Sequence, residues 1–357
     1  MKNYDEIIER HKLFWEKAEV KRPLLINVYD WVDGPRLIDS VSSLPSGCLK
    51  SEDIRPRDFI PELEKIRAEG ELVNDDRLPM TEPLSCLPWM EAFFGCQVNN
   101  TDRHMWSKSN SEGIAAVKEY MKKGPSAAWK DAYFEFMKTL QNYSKDNNGR
   151  WGVAQPILRG IADVSAAIMG TEPMIFALYD EPELMEEFFG YISKNMKVFF
   201  EENLERLEPF HGGYILGQYF IWAPEKCLRI QDDAMAVLSP SLYSKFIMPL
   251  NRKIASISKY NAIHLHLTAA HVLDQITAAP EIKAVEYDID EGSAKASQYV
   301  DDMKKIQAAG KAMIIKARFS REDLEVLAKN LSYRGLCLIP VTRNKQEAQD
   351  TLAFFEQ

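Results

Sequence analysis

Imidazole, carboxylate and cationic side chains alternate with apolar residues along three successive segments of the sequence. The polar positions are His264 and His266, then Glu286, Asp288 and Asp290, then Lys316 and Arg318. Because successive side chains of a β-strand point to opposite faces, strands here would collect these polar groups on one face and the apolar residues on the other. Buried charges cost free energy unless they are paired, so the pattern predicts a polar pocket where the three strands meet.

These residue types suit acid–base chemistry on a small molecule. We predict His266, Asp288 and Glu286 as catalytic residues, with His266 positioning or activating a reacting atom and Asp288 acting as acid or base. Lys316 and Arg318 would bind a carboxylate group of the substrate. Two alternatives stay open. Lys316 could be a Schiff-base amine, or ion pairs such as Glu286 with Lys316 could merely neutralise each other.

The first of these segments also has the spacing of a metal site. His264 and His266 are two residues apart, which brings both imidazoles to one face of a strand, and Asp288 or Asp290 could supply oxygen ligands. The alternative for His264, which lies one layer deeper, is a core histidine with satisfied hydrogen bonds.

Polar and aromatic residues also end other predicted strands, where the site of a parallel-stranded fold lies. We predict that the following residues bind substrate: Tyr29, Asp30, Gln155, Gln218, Tyr219 and Trp222. Aromatic side chains in such a site would suit a flat or methyl-bearing ligand.

The elements that must position these residues alternate between short apolar runs and amphipathic stretches, a pattern typical of βα units. The predicted strands are 24–28, 151–158, 213–221, 262–267, 284–290, 312–317 and 335–339, with an eighth expected within 71–98. Ser320 with Asp323 predicts one helix start, and Asp180 with Glu183 predicts another. This count favours an α/β fold, a closed (β/α)₈ TIM barrel with an N-terminal helical extension over residues 1–22. No linker divides the chain, so we expect a single domain over residues 1–357.

Composition excludes several classes of protein. The 357 residues carry 44 Lys and Arg against 53 Asp and Glu, a net charge of −9 that argues against nucleic-acid binding. No run approaches the roughly 18 apolar residues of a membrane span, and the first residues lack a signal core, so we expect a cytoplasmic protein without a membrane partner. The five cysteines are odd in number, widely spread and contain no CxxC pair, so we expect neither a disulfide framework nor a thiolate zinc cluster.

Several segments of the chain form an ordered set of motifs. They are Gln155 to Leu158 with Met169-Gly170 and Tyr179 to Glu183, Asp232-Asp233 with Leu238 to Pro240 and Phe246 to Pro249, His264 to Leu267, and Lys316 to Leu324. In this order they resemble the uroporphyrinogen decarboxylase superfamily, which contains the decarboxylase and the cobalamin- and corrinoid-dependent methyltransferases. The resemblance covers residues 150–357 well and the first 100 residues faintly. It implies a TIM-barrel fold and a small-molecule substrate.

The chain departs from the family pattern at several segments, and these departures limit which of the family's activities we expect. The Arg-rich segment of the decarboxylase is replaced by 27–34, and its catalytic-aspartate segment by 81–86, so porphyrin synthesis is not expected. The zinc methyltransferases use a His-x-Cys and a later Cys, whereas this chain has His266-x-Thr268 and Pro340-Val341-Thr342. Either His264, His266, Asp288 and Glu286 therefore build a different zinc site, or the protein does its chemistry without a metal.

Three functions follow from the resemblance and the residues. The first is methyl transfer between a small methylated substrate and a corrinoid, the corrinoid or cobalamin being supplied by a partner protein. The second is a carboxylate-binding lyase or decarboxylase. The third is a barrel that binds a corrinoid or tetrapyrrole without catalysis.

Overall fold

The structure of the protein is a computed structural model that describes residues 2–29, 44–101, 104–108, 113–289 and 295–356. Its strands are β1 (Leu24–Leu25), β2 (Val28–Tyr29), β3 (Gly47–Leu49), β4 (Met80–Thr81), β5 (Gln97–Thr101), β6 (His104–Lys108), β7 (Gly152–Val153), β8 (Tyr214–Leu216), β9 (Ile221–Ala223), β10 (Cys227–Ile230), β11 (Tyr260–His266), β12 (Ala284–Asp288), β13 (Ala312–Ala317) and β14 (Leu336–Thr342).

The helices are numbered in the same way. They are α1 (Tyr4–Glu16), α2 (Ile60–Gly70), α3 (Trp89–Phe93), α4 (Gly113–Lys123), α5 (Ala127–Asp146), α6 (Ile161–Met169), α7 (Thr171–Asp180), α8 (Pro182–Arg206), α9 (Pro240–Leu242), α10 (Met248–Ala255), α11 (Leu273–Ala278), α12 (Val300–Ala308), α13 (Arg321–Asn330) and α14 (Lys345–Phe355). A π-helical turn, Tyr243–Ile247, joins α9 to α10. Short 3₁₀ helices cover Ser51–Asp53, Pro56–Phe59, Asp233–Val237, Leu267–Val272 and Ala296–Tyr299.

A parallel sheet carries the polar strands. Its order is β1-β14-β13-β12-β11-β10, with β2 also paired to β14. Helices cross between the successive strands from β10 to β14. The prediction of a mixed α/β fold with a parallel sheet is therefore confirmed.

The two ends of this sheet approach a second parallel pair, β4 and β7. Beside β1, the main-chain N–H of Asp76 donates to the Leu25 carbonyl at 2.9 Å, and the Asp76 carboxylate accepts from the Leu25 N–H. Beside β10, the Gln155 side chain donates to the Arg229 carbonyl at 2.8 Å. Among the described residues, no strand pairing closes the predicted barrel at these two junctions. One main-chain hydrogen bond and the side chains of Asp76 and Gln155 connect the strands there instead.

Side-chain alternation divides the core into two layers. Ile263, Val285 and Ile315 pack outward in the large cluster that includes the helices. Between those positions, Ala262, Ala284, Ile314 and Ile339 point to the other face, where they pack with Phe14 and Trp15 of α1. Helix α1 lies within the predicted N-terminal extension and covers this inner cluster.

The structure corrects several predicted elements. The predicted strand 213–221 is an antiparallel hairpin of β8 and β9, and the fourth parallel strand is β10, which sequence reasoning missed. The eighth strand expected within 71–98 is β4. Ser320 caps α13 as predicted, accepting from the Asp323 N–H. Asp180 instead ends α7, so the cap of α8 is Glu181.

Within the described ranges no single helix has the length and apolar composition to cross a membrane. Helices α6 and α7 pass that test only when joined, and the chain bends by 102° between them.

Candidate functional site

The polar faces of β11, β12 and β13 line a cavity of about 490 Å³. Its described lining residues are Val28, Leu63, Ile66, Met80, Thr81, Glu82, Ser85, Ile157, Gln218, Tyr219, Phe220, Arg229, Gln231, His264, His266, Glu286, Asp288 and Lys316. Strand register explains why the polar groups meet. His266 is paired with Asp288 and Asp288 with Lys316, while His264 is paired with Glu286 one layer deeper.

Three atoms beside this cavity converge on one point. His264 Nε2 and His266 Nε2 are 2.9 Å apart, and Asp233 Oδ1 lies 3.7 Å from the first and 3.8 Å from the second. A point equidistant from all three lies about 2.0 Å from each, which is the length of a zinc–histidine bond. Asp233 Oδ1 is buried and accepts no hydrogen bond from any described residue. These residues fit a divalent cation.

Glu286 lies behind this group. Its Oε2 accepts from the Tyr219 hydroxyl and contacts His264 Nδ1, and the Arg229 guanidinium is 3.8 Å away. Burial alone would raise the pKa of Glu286, but His264, Arg229 and Lys316 lower it to about 2. Glu286 is therefore a carboxylate that holds other side chains rather than a proton donor.

Lys316 forms an ion pair with Asp288, with Nζ 2.9 Å from Oδ2. Burial would lower the pKa of Lys316, but the charges of Asp288 and Glu286 outweigh burial and raise it. The amine is therefore protonated, which argues against the Schiff-base alternative. The direct partner of Lys316 is Asp288, not Glu286 as the ion-pair alternative supposed, and a cavity lies beside the pair.

The opposite wall carries a second polar group that sequence reasoning missed. Glu82 Oε1 accepts from the Ser85 hydroxyl and from the Gln218 side-chain amide, while Ser85 Oγ accepts from the Ile157 N–H at 2.9 Å and from Gln218 at 2.9 Å. Glu82 Oε2 has no partner among the described residues. Burial raises the pKa of Glu82 to about 7, so Oε2 is the oxygen left to carry a proton.

The predicted substrate-binding residues separate into two sets. Gln218 and Tyr219 lie in the β8–β9 turn and face the cavity. Trp222 instead packs beneath α1, where its main-chain N–H donates to His11 and its indole donates to the Phe210 carbonyl. Gln155 joins β7 to β10 through Arg229. The structure thus keeps Trp222 and Gln155 away from the cavity, because each side chain satisfies main-chain groups elsewhere.

The remaining predicted residues lie in or beside segments that the structure does not describe. Asp30 and Asp290 lie outside the described residues, and for Tyr29 only the main chain is described, paired with Thr342. Arg318 follows β13 and does not line the part of the cavity that the described residues enclose.

Among the charged residues of the site, Asp233, Arg229 and Glu82 were not predicted from the sequence. Asp233 and Glu82 both lie in segments that correspond to motif positions of the superfamily that the sequence resembles, Asp232-Asp233 and 81–86, and this position is a signal that the sequence offers. No comparable sequence signal pointed to Arg229, because its strand β10 was not predicted.

Comparisons with known proteins bear on the fold. No protein-family model matches the sequence, and no curated protein matches it. A methyltransferase from Methanosarcina mazei has a similar structure, with a TM-score of 0.64 over 98% of both chains at 13% sequence identity. This chain therefore shares its overall fold with that methyltransferase.

Proposed function

We propose that this protein is an enzyme that transfers a methyl group between a small methylated substrate and a corrinoid held by a partner protein. The proposal is carried by one observation, the convergence of Asp233 Oδ1, His264 Nε2 and His266 Nε2 beside the cavity. The fold shared with a methyltransferase supports it. So does the order of the motifs that resemble the uroporphyrinogen decarboxylase superfamily, to which we assign the chain as part of this proposal.

A divalent cation, zinc in this proposal, would be held by Asp233, His264 and His266. When bound, it would act as a Lewis acid at a heteroatom of the substrate. Two imidazoles and a carboxylate are a ligand set that catalytic zinc sites use, and they leave further coordination positions open. This set would take the place of the thiolates that the sequence lacks.

The other cavity residues have roles of their own in this proposal. The apolar residues Leu63, Ile66 and Phe220 would contact the body of the substrate. Once the methyl group has left, the substrate heteroatom would carry a negative charge. The proton that Glu82 holds at Oε2 could neutralise that charge, which makes Glu82 the general acid.

We also propose that the parallel strands form an eight-stranded barrel. The ring would run through β1, β4, β7, β10, β11, β12, β13 and β14. Contacts of Asp76 and Gln155 bridge the two junctions at which strand pairing is lacking among the described residues. Barrel closure would place the cavity at the carboxyl ends of the strands, where barrel enzymes have their sites.

Metal analysis with a methyl-transfer assay tests the proposed function. We expect one zinc per chain in the untagged protein and its loss in His266→Ala, whereas Tyr214→Phe, in β8, retains the metal. We also expect transfer to reduced cobalamin, or to a corrinoid protein, from at least one donor in a panel of methylated ethers, amines and thiols. The absence of transfer from every donor would refute the proposed function.

A proton-transferring lyase is the second candidate, and the protonated Glu82 favours it. It predicts turnover of a carboxylic acid without any corrinoid, and dependence on Glu82 but not on zinc. Because Lys316 is held protonated by Asp288, borohydride should trap no adduct on Lys316 with keto acids.

A further inference from the structure

Two of the three converging residues are joined to each other by a chain of buried side chains that runs along the cavity wall. From Asp233 to His264 the chain passes through Gln231, Arg229, Tyr219 and Glu286. Gln231 Nε2 is 2.6 Å from Asp233 Oδ2, and Arg229 Nε is 2.8 Å from the Tyr219 hydroxyl. Each of the four intermediate side chains is buried.

The direction of every hydrogen bond in this chain follows from Arg229. Its guanidinium has donors and no acceptor. The Tyr219 oxygen must therefore accept from Arg229, so its own proton points to Glu286. Gln231 Oε1 likewise accepts from Arg229, which turns the amide N–H₂ group toward Asp233 Oδ2.

The two ends of the chain then have fixed proton positions. Glu286 accepts from Tyr219 and also meets His264 Nδ1, so Nδ1 carries the ring proton and Nε2 presents a lone pair. At the other end, Asp233 Oδ2 is occupied by Gln231, and Oδ1 is the oxygen that faces the histidines. Both ends present lone pairs to the same point.

We infer that Arg229 is a positioning residue that, through Tyr219 and Gln231, fixes the Nδ1–H tautomer of His264 and the orientation of Asp233 so that both can bind a divalent cation. The inference rests on the cation site of the proposed function. It adds residues that would set affinity without touching the cation, as the partners of metal-binding histidines commonly do.

The backbone that carries Tyr219 supports this role. Tyr219 lies between two non-glycine residues in the left-handed region, Gln218 with φ 68° and Phe220 with φ 56°. Such conformations are unfavourable and persist where surrounding contacts impose them. At Gly217, which directly precedes Gln218 in the sequence, an added Cβ would lie 1.8 Å from the Gln155 carbonyl oxygen. The turn is therefore held in one unfavourable shape, and that shape delivers the Tyr219 hydroxyl between Arg229 and Glu286.

Zinc affinity of the purified full-length protein tests the inference. Tyr219→Phe and Gln231→Met each remove one donor of the chain, and Tyr214→Phe is the matched control in the same hairpin. Competition with a chromophoric chelator should show affinity for Zn²⁺ weakened by about 10- to 100-fold in the first two variants and unchanged in the control. The visible absorption of the Co²⁺-substituted protein should shift only in the first two.

The tautomer of His264 is measured separately, by ¹⁵N NMR of the metal-free wild type. We expect a proton on Nδ1. A proton on Nε2 alone would overturn the inference, as would affinities in Tyr219→Phe and Gln231→Met equal to that of the control. If the wild type binds no Zn²⁺, the proposed cation site is refuted. The tautomer measured by NMR then still shows whether the hydrogen-bond chain orients His264.

Discussion

At the scale of single residues, proton positions decide what the cavity can do. Glu286 and Glu82 are both glutamates on its walls, yet their surroundings shift their pKa values in opposite directions. His264 and Arg229 lower the pKa of Glu286 to about 2, whereas burial raises that of Glu82 to about 7. One carboxyl group is thus a fixed anion and the other an acid with a proton to give, a division of roles known from carboxylate pairs in other enzymes.

A pH profile tests the role of Glu82. The pKa is raised, so the proton is bound below about pH 7 and lost as the pH rises through that value. If Glu82 is the general acid, kcat/KM of the methyl-transfer reaction should fall above pH 7. Glu82→Gln should lower kcat/KM about 100-fold or more below pH 7 and remove the fall. A fall of the same size and midpoint in Glu82→Gln would show that another group is titrating.

At the scale of elements, the hairpin of β8 and β9 contributes one side chain to each wall of the site. Its turn sends Gln218 to Glu82 and Tyr219 to Glu286. The alternating apolar residues of 213–221 predict one continuous strand, but Gly217 packs against the Gln155 carbonyl and the chain reverses there. The turn therefore depends on contact with β7 and its following segment, which no local pattern reveals.

Gly217→Ala tests how far this turn depends on close packing. A Cβ would lie 1.8 Å from a backbone oxygen, so the turn must move. We expect the free energy of unfolding to fall by about 2 kcal/mol or more, as measured by urea denaturation. Gly190→Ala in α8, where a Cβ would meet nothing within 4 Å, should instead raise stability by about 0.5–1 kcal/mol. Equal stability of Gly217→Ala and wild type would contradict the assigned contact.

At the scale of the whole molecule, α1 holds distant parts of the chain together. His11 is fully buried, and its ring contacts the Asp76 carbonyl at 2.8 Å and accepts from the Trp222 N–H at 2.8 Å. Asp76 in turn accepts from Arg10 and Arg22 and from the main chain of β1. This cluster binds the first helix, the first strand and the β8–β9 hairpin to one another.

The pH dependence of stability tests this anchoring. Burial lowers the pKa of His11 from 6.5 to about 4, so the folded protein keeps the ring neutral. As the pH falls from 6.5 towards 4, the unfolded chain takes up a proton that the folded chain does not, and stability is lost. The contribution of His11 to this loss is about 3 kcal/mol between pH 7 and pH 4.

Chemical denaturation of His11→Asn across that range should show a pH-dependent loss smaller by about this amount. His211→Asn, at an exposed histidine, should retain the loss of the wild type. If all three proteins lose the same stability, His11 does not titrate as described.

The sequence by itself determined which residues of a strand share a face. The period of two placed His264, His266, Glu286, Asp288 and Lys316 on the polar face, and the structure shows them there, because alternation follows from backbone geometry alone. The capped start at Ser320 is a local feature of the same kind. Their proposed roles in catalysis and metal binding remain predictions.

Only the tertiary structure decided which further residues meet them. Gln218 contacts Glu82 across 136 positions of sequence, and Tyr219 contacts Glu286 across 67. Arg229 reaches the cavity from β10, and Asp233 lies just after that strand, beside the two histidines. Strand β10 has only four residues, too few for a detectable alternation. Trp222, which local pattern assigned to the site, is held beneath α1 by His11. Such contacts depend on how sheets and helices pack. Packing brings together residues that are distant in sequence, and the local sequence around one residue does not indicate which distant residue it will contact.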